Sequence, residues 1–268
     1  MKAYNVKIRS RSYHLLIEGS DELPTILWLH GFTGSSQTFL KTATSIDGFR
    51  HVLLDLAGHG QTIATECNYA EQLTDIIAIM TQLGSEHFNV VGYSMGGRVA
   101  LGLACEYPEK VTRLVIESSS PGLATAEERA ERRHSDQKLA QRLETNGLEA
   151  FIDFWEGIPL FESQRILSTT VKEHLRKQRE NNTVVGLQES LYGMGTGSQP
   201  SYWDKLSDIN CPVTCIVGLL DNKYVSIANA MRLKQPSFEI EGVPDAGHAV
   251  HIEKSGYFNN YLKKVFKN

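Results

Sequence analysis

The chain has little cysteine and little proline, four and eight residues among 268. Cys67, Cys105, Cys211 and Cys215 lack the paired close spacings of a zinc site, and Cys105 and Cys215 fall inside apolar periodic segments, so all four read as buried reduced thiols. No metal and no cofactor are expected. No apolar run approaches membrane-spanning length, and charges interrupt every apolar run from Met1 to Arg9, so neither a spanning helix nor a secretory segment is read. A cytoplasmic location is the expectation. There is no excess of charge of either sign: the net charge is -4, which gives no bulk pull toward nucleic acid or an anionic membrane, although a locally basic pocket stays compatible with it. The sequence leaves the oligomeric state open. Repeats and low-complexity linkers are absent as well. What is present, 41% hydrophobic and 22% charged residues, is enough for one large α/β domain that buries its core without staples.

Short apolar runs alternate with helical spacing over the first 120 residues. Val6 to Ile8 and Tyr13 to Ile17 flank a polar turn and predict a hairpin. Thr25 to Leu29, Val52 to Leu56, His87 to Val91 and Val111 to Glu117 read as strands, and Tyr69 to Leu83 as a helix. From Pro121 to about Lys205 the sequence is charged and helix-forming, with candidate helices at 126–145, 148–155, 168–181 and 184–192. Strand character returns at Pro212 to Gly218 and Phe238 to Ile240, and a last helix spans Gly256 to Phe266. The expectation is a mostly parallel, doubly wound α/β sheet, 1–120 and 206–268, with an inserted helical cap at 121–205.

Gly92-Tyr93-Ser94-Met95-Gly96 is a G-x-S-x-G elbow between an apolar strand and the helical run starting at Gly97. A serine on such a turn points its hydroxyl out of the sheet top, and the flanking glycines avoid collisions of Cβ with the neighbouring strand and helix. An oxyanion site needs two converging backbone N–H groups. One is expected from Met95, at a helix N-terminus, and the other from Phe32, in the loop His30-Gly31-Phe32-Thr33-Gly34.

With His-Gly-Phe, Asp-Leu-Ala-Gly-His-Gly, Gly-Tyr-Ser-Met-Gly-Gly-Arg and Asp-Ala-Gly-His in order, the chain resembles the α/β-hydrolase superfamily over nearly its full length. That resemblance implies a triad in the order Ser, Asp, His, each on a loop after a strand. Asp221 follows the strand ending at Val217, and His248 precedes the last helix. A serine hydroxyl needs an imidazole to activate it and a carboxylate to fix that imidazole. Asp221 also reads as a plain turn residue, His251 competes with His248, Asp245 competes with Asp221, and His59 reads as a structural turn residue.

A finer resemblance runs through Tyr93 to Ala100, Glu117 to Leu123, Glu128 to Arg133, Phe154 to Phe161 and Arg176 to Asn182. These segments are similar to the synthases of 2-succinyl-6-hydroxy-2,4-cyclohexadiene-1-carboxylate in menaquinone biosynthesis. The resemblance implies a lyase that eliminates pyruvate from 2-succinyl-5-enolpyruvyl-6-hydroxy-3-cyclohexene-1-carboxylate, with the triad serving as general base. The implied partner is a small substrate with several carboxylates, for which arginine clusters are suited. Arg98 lies one turn after Ser94 on the same helix face. Arg132, Arg179, Trp155 and Tyr93 are the remaining substrate-binding positions that the resemblance implies. By spacing alone, Arg132 and Arg133 also read as surface partners of Glu127, Glu128 and Glu131, Arg176 and Lys177 rival Arg179, and Trp155 reads as cap core. A serine carboxylesterase or a carbon–carbon bond hydrolase using the same triad is the alternative reading.

Overall fold

The computed structural model describes residues 1–267. Eight strands form one sheet: β1 (Lys2–Ile8), β2 (Arg11–Glu18), β3 (Thr25–Leu29), β4 (Arg50–Leu54), β5 (Phe88–Tyr93), β6 (Val111–Glu117), β7 (Val213–Gly218) and β8 (Glu239–Val243). Their spatial order is β1-β2-β4-β3-β5-β6-β7-β8. Only the β1–β2 and β2–β4 pairs are antiparallel. The expected mostly parallel, doubly wound sheet is therefore the architecture found.

Burial explains which runs became central strands. Every residue of β3, β4 and β7 is buried, as befits parallel strands covered on both faces. β1 is exposed along most of its length and forms one edge. One face of the sheet packs against α2 (Tyr69–Gln82), α3 (Met95–Glu106) and α7 (Asn222–Lys234). The other carries α1 (Leu40–Ala43), α8 (Val250–Glu253) and α9 (Ser255–Val265), where Trp28, Phe39 and Phe258 are buried. The chain moves outward from β3 to β4 and then crosses back to β5. The carboxyl ends of β3 and β5 consequently flank the crevice where strand order reverses, the usual ligand position in open α/β sheets.

Between β6 and β7 the described residues contain α4 (Ala126–Glu156), α5 (Thr169–Glu180), α6 (Val184–Met194) and two short 3-10 turns, with no strand. Thr125 and Glu128 form a reciprocal capping box at the start of α4. The chain breaks at Gly147, whose φ of 78° is left-handed, so the two helices expected there meet at a kink. Ala140, Leu143, Phe151, Leu187 and Leu191 give these helices a small core of their own. α6 sits closest to the sheet domain: a Cβ on Gly58 would strike the Gly186 carbonyl, and one on Gly193 would strike the Cys67 carbonyl. Asn182, just before α6, donates to the Thr33 carbonyl (2.9 Å) and accepts from the Gly60 amide (3.0 Å).

Three details differ from the sequence expectations. β4 begins at Arg50 and ends at Leu54, so Asp55 and Leu56 belong to the following loop. α3 starts at Met95, immediately after the serine. α7 was not expected, and its burial pattern shows why: Ala228 and Met231 are its only buried residues, too few to print a helical period.

Three buried histidines tie the loops to this frame, and two of them need a neutral ring. His30 Nδ1–H donates to the Gly31 carbonyl (2.7 Å), so its Nε2 is the acceptor for the Leu56 amide (3.0 Å). His51 Nε2–H donates to the Ile46 carbonyl (2.8 Å), and its Nδ1 accepts from the Trp28 indole (3.2 Å). Burial lowers the pKa of His30 and His51, and pushes that of His59 well below its usual range. In the unfolded chain these rings protonate near the ordinary value of about 6.5. Below that pH the unfolded state binds protons that the folded state refuses, so stability is full above it and falls as the pH drops toward the lower folded values. The urea midpoint should therefore fall between pH 7.5 and 5.5, and His59→Gln should shrink that fall; an equal pH slope in the variant would contradict the assignment.

Candidate active site

Ser94 stands between β5 and α3 with φ of 50°, in the left-handed region that few non-glycine residues adopt. The neighbouring glycines make this possible. A Cβ on Gly96 would strike the carbonyls of Leu29 and His30, one on Gly92 would strike the Gly96 carbonyl, and one on Gly97 would come within 2.6 Å of Ser119 Cβ. The turn is pinned on both sides: the Ser94 amide donates to the Glu117 carbonyl (2.8 Å), and Ser119 Oγ donates to the Ser94 carbonyl (2.9 Å).

The other two members arrive from loops that touch each other. A Cβ on Gly218, at the end of β7, would strike the carbonyls of Ala246 and Gly247, so the two loops share backbone contact. Asp221 caps α7 by accepting from the Tyr224 amide (3.3 Å). Glu253 fixes the histidine loop by accepting from the amides of Gly247 (2.6 Å) and Ala249 (3.2 Å). The result is a continuous relay: His248 Nδ1 to Asp221 Oδ2 at 2.8 Å, and His248 Nε2 to Ser94 Oγ at 3.0 Å. With Nδ1–H donating to the carboxylate, the Nε2 lone pair faces the hydroxyl, the tautomer that proton abstraction requires.

The competing residues lie elsewhere. His251 pairs with buried Glu117 at 2.8 Å. The Asp245 side chain is 87% exposed and faces Lys254 at 3.9 Å. His59 is buried in its turn, with Nδ1 against the Ala57 carbonyl (3.1 Å).

A cavity of about 140 Å³ opens over Ser94, and Phe32, Tyr93, Met95, Arg98, Arg132, Trp155 and His248 all line it. Phe32 lies in the loop after β3 and Met95 opens α3, and both residues line the cavity. Neither donates its N–H to another group in the surrounding network among the described residues. Trp155 packs edge-on to Phe32 (5.2 Å) and stacks on Phe151, and its buried indole N–H has no partner among the described residues.

Arg98 is only 8% exposed. Its guanidinium donates to Gln199 Oε1 (3.1 Å) and to the Met194 carbonyl (2.9 Å), both neutral, and no carboxylate lies within ion-pair distance of it among the described residues. Burial, together with the Arg132 charge, lowers its pKa. Arg132 pairs with Asp136 at 2.8 Å, so it is an i,i+4 partner and a pocket residue at once. Arg133 donates to the Gly197 carbonyl and does not line the cavity. Arg179 stands one wall away, lining the adjoining space and bound to Glu156 at 2.7 Å. Arg176 belongs to a surface network with Asp153, Glu156 and Glu180.

Lys223 was not singled out from the sequence, yet it lines the cavity beside Arg98 and Arg132. Burial of its end and the Arg132 charge lower its pKa. Its position two residues after the acid loop carboxylate was the available signal. Phe161, the last residue of the Phe154 to Phe161 segment, completes an apolar wall with Leu139 and Leu191, two cap positions that carry no motif.

The sheet order and the serine relay define the α/β-hydrolase class, and the family model for the alpha/beta hydrolase fold matches residues 24–255. An esterase from Thermogutta terrifontis shares that fold at TM-score 0.84 and 20% identity, covering 100% of this chain and 98% of its own. Much nearer in sequence is a putative 2-succinyl-6-hydroxy-2,4-cyclohexadiene-1-carboxylate synthase from Bacillus subtilis, 41% identical over 94% of this chain and 93% of the relative. The structure of MenH from S. aureus superposes at TM-score 0.89 with 30% identity, covering 95% of this chain and 97% of that one. The chain belongs to the 2-succinyl-6-hydroxy-2,4-cyclohexadiene-1-carboxylate synthase family.

The packing at the elbow gives a direct stability test. Gly96→Ala should cost roughly 3 kcal/mol or more, the upper range for forcing a methyl into an interior with no room to yield. Urea denaturation checks this, and an unchanged midpoint would show that β3 and α3 can separate.

Proposed function

We propose that this chain eliminates pyruvate from 2-succinyl-5-enolpyruvyl-6-hydroxy-3-cyclohexene-1-carboxylate, with Ser94 acting as a base. The observation that carries the reading is Arg98: a buried guanidinium held only by neutral acceptors, facing the same cavity as the Ser94 hydroxyl. A cation so placed has given up hydration without gaining a counter-ion, and an anionic substrate supplies one. Arg132 and Lys223 add to the same positive wall.

In this reading Ser94 Oγ takes a proton from the substrate ring while His248 Nε2 takes the serine proton, and Asp221 stabilises the imidazolium. The electron pair of the broken C–H bond passes through the conjugated system, forms the new ring double bond and expels the enolpyruvyl oxygen. The proton on His248 returns to the leaving group, which becomes pyruvate. The Phe32 and Met95 amides would hold negative charge gathering on the conjugated carbonyl oxygen. No acyl-enzyme forms, and no bound group beyond the chain is needed for any step.

Pyruvate release from the enolpyruvyl substrate tests the proposal, and a rate no higher than the spontaneous one would overturn it. Ser94→Ala should lower kcat by about 10² to 10⁴ while leaving KM nearly unchanged, the usual worth of a positioned proton acceptor. Arg132→Gln, which keeps a donor for Asp136, should raise KM by about tenfold or more with a small effect on kcat. A burst of product from simple esters, with stoichiometric acylation of Ser94, would favour the hydrolase reading instead.

A further inference from the structure

Arg98, Arg132 and Lys223 line the cavity over Ser94, and among the described residues only Arg132 is ion-paired: its Nε–H donates to Asp136 Oδ1 at 2.8 Å. The two ends of that pair lie in different surroundings. The Asp136 side chain is 4% exposed and the Arg132 side chain 41%, so a sealed carboxylate holds one edge of an arginine whose far end is open. Nη1 and Nη2 of Arg132 make no hydrogen bond among the described residues, and neither is closed off from solvent.

Asp136 is not part of the cavity wall. It lies against Gly195, which is: a Cβ on Gly195 would come within 2.5 Å of Asp136 Oδ2. An exposed i,i+4 pair breaks and reforms at little cost, but a buried carboxylate keeps its cation, because the alternative is an unpaired charge out of water. Burial raises the pKa of Asp136 against the opposing pull of the Arg132 and Arg98 charges. A guanidinium is planar and rigid, so fixing Nε fixes the direction of the opposite edge. Nη1 and Nη2 then form a two-pronged donor, the shape that pairs both oxygens of a carboxylate. Arg133, the next residue of α4, shows the contrast. It has Gln137 and no acid one turn on, spends Nη1 on the Gly197 carbonyl and does not line the cavity.

We propose that Asp136 is a positioning residue for substrate binding: it holds Arg132 by Nε and so presents Nη1 and Nη2 as a fork to one carboxylate in the cavity over Ser94, without touching the substrate itself. The inference rests on the elimination reading for the molecule that bears this carboxylate. Two effects of Asp136 on an anionic ligand have opposite signs, which makes the role measurable. As a negative charge near the cavity it weakens anion binding, and as the holder of Arg132 it strengthens it.

Steady-state kinetics of the full-length protein read the balance. Asp136→Ala should raise KM about tenfold with kcat within about threefold. Asp136→Asn, which keeps an oxygen for Nε–H, should recover most of that loss. A KM in Asp136→Ala at or below the wild-type value, or equal KM values in the two variants, overturns the proposal. The deciding measurement is the double variant: in an Arg132→Gln background, Asp136→Ala should change KM by less than about twofold, because no guanidinium is left to hold. The same fold-change in both backgrounds marks a merely structural aspartate and overturns the proposal. Should Asp136→Ala not fold, Asp136→Leu, which fills the space without an acceptor, takes its place in the same cycle under the same criteria. Should the wild type release no pyruvate, the elimination reading fails on its own, and dissociation constants for succinate from ligand-observed NMR replace KM in the cycle. A loss of succinate binding in Asp136→Ala that disappears in the Arg132→Gln background then supports the positioning role; equal losses in both backgrounds, or no binding by the wild type, overturn it.

Discussion

The close approach of the start of α3 to the end of β3 is the constraint on which the site depends. Gly96 lies against the carbonyls of Leu29 and His30 with no space for a side chain, so the turn holding Ser94 is pressed onto the loop that carries Phe32. One backbone contact thereby sets how the serine turn sits against the loop that carries Phe32, and Met95, the other residue read from the sequence as an oxyanion donor, is the serine's own neighbour. The left-handed φ of Ser94 is the local cost of this arrangement. It is borne by a sheet whose central strands are buried along their whole length.

Electrostatics then divides the site in two. The relay beneath is compensated internally, since Asp221 faces His248 and Glu117 faces His251. Above it, Arg98 has only neutral acceptors and Trp155 has an unused indole N–H. The polar capacity of the cavity is therefore turned toward a ligand, and its sign is positive. A triad built for esters would work without that charge, which is why the arginines, more than the serine, separate a lyase reading from a hydrolase one.

Much of this was legible in the sequence where local rules govern. The strands Thr25 to Leu29 and Val111 to Glu117 were read to the residue, the first because a fully buried parallel strand is a near-continuous apolar run, the second because β-branched and apolar residues dominate it. The elbow, the acid loop and the histidine loop were legible because each needs glycine or a small residue at a fixed offset. What escaped depends on tertiary placement. α7 buries too little to show its period, Lys223 faces the cavity only because that helix turns back there, and Arg179 shares a motif with the cap but lies behind Phe161. Whether Arg132 is a surface partner or a pocket cation had no single answer in the sequence, because it is both.

The glycine contacts beneath α6 redraw the boundary of the insertion. Gly58 against Gly186, and Gly193 against Cys67, bring backbone onto backbone, and Asn182 bridges Thr33 to Gly60 at the same seam. Where backbone meets backbone at these glycines, no side chain can change rotamer to adjust the contact. In mechanical terms α6 joins the two layers: it meets the sheet domain through these glycine contacts and α4 through the small core of Ala140, Leu143, Phe151, Leu187 and Leu191.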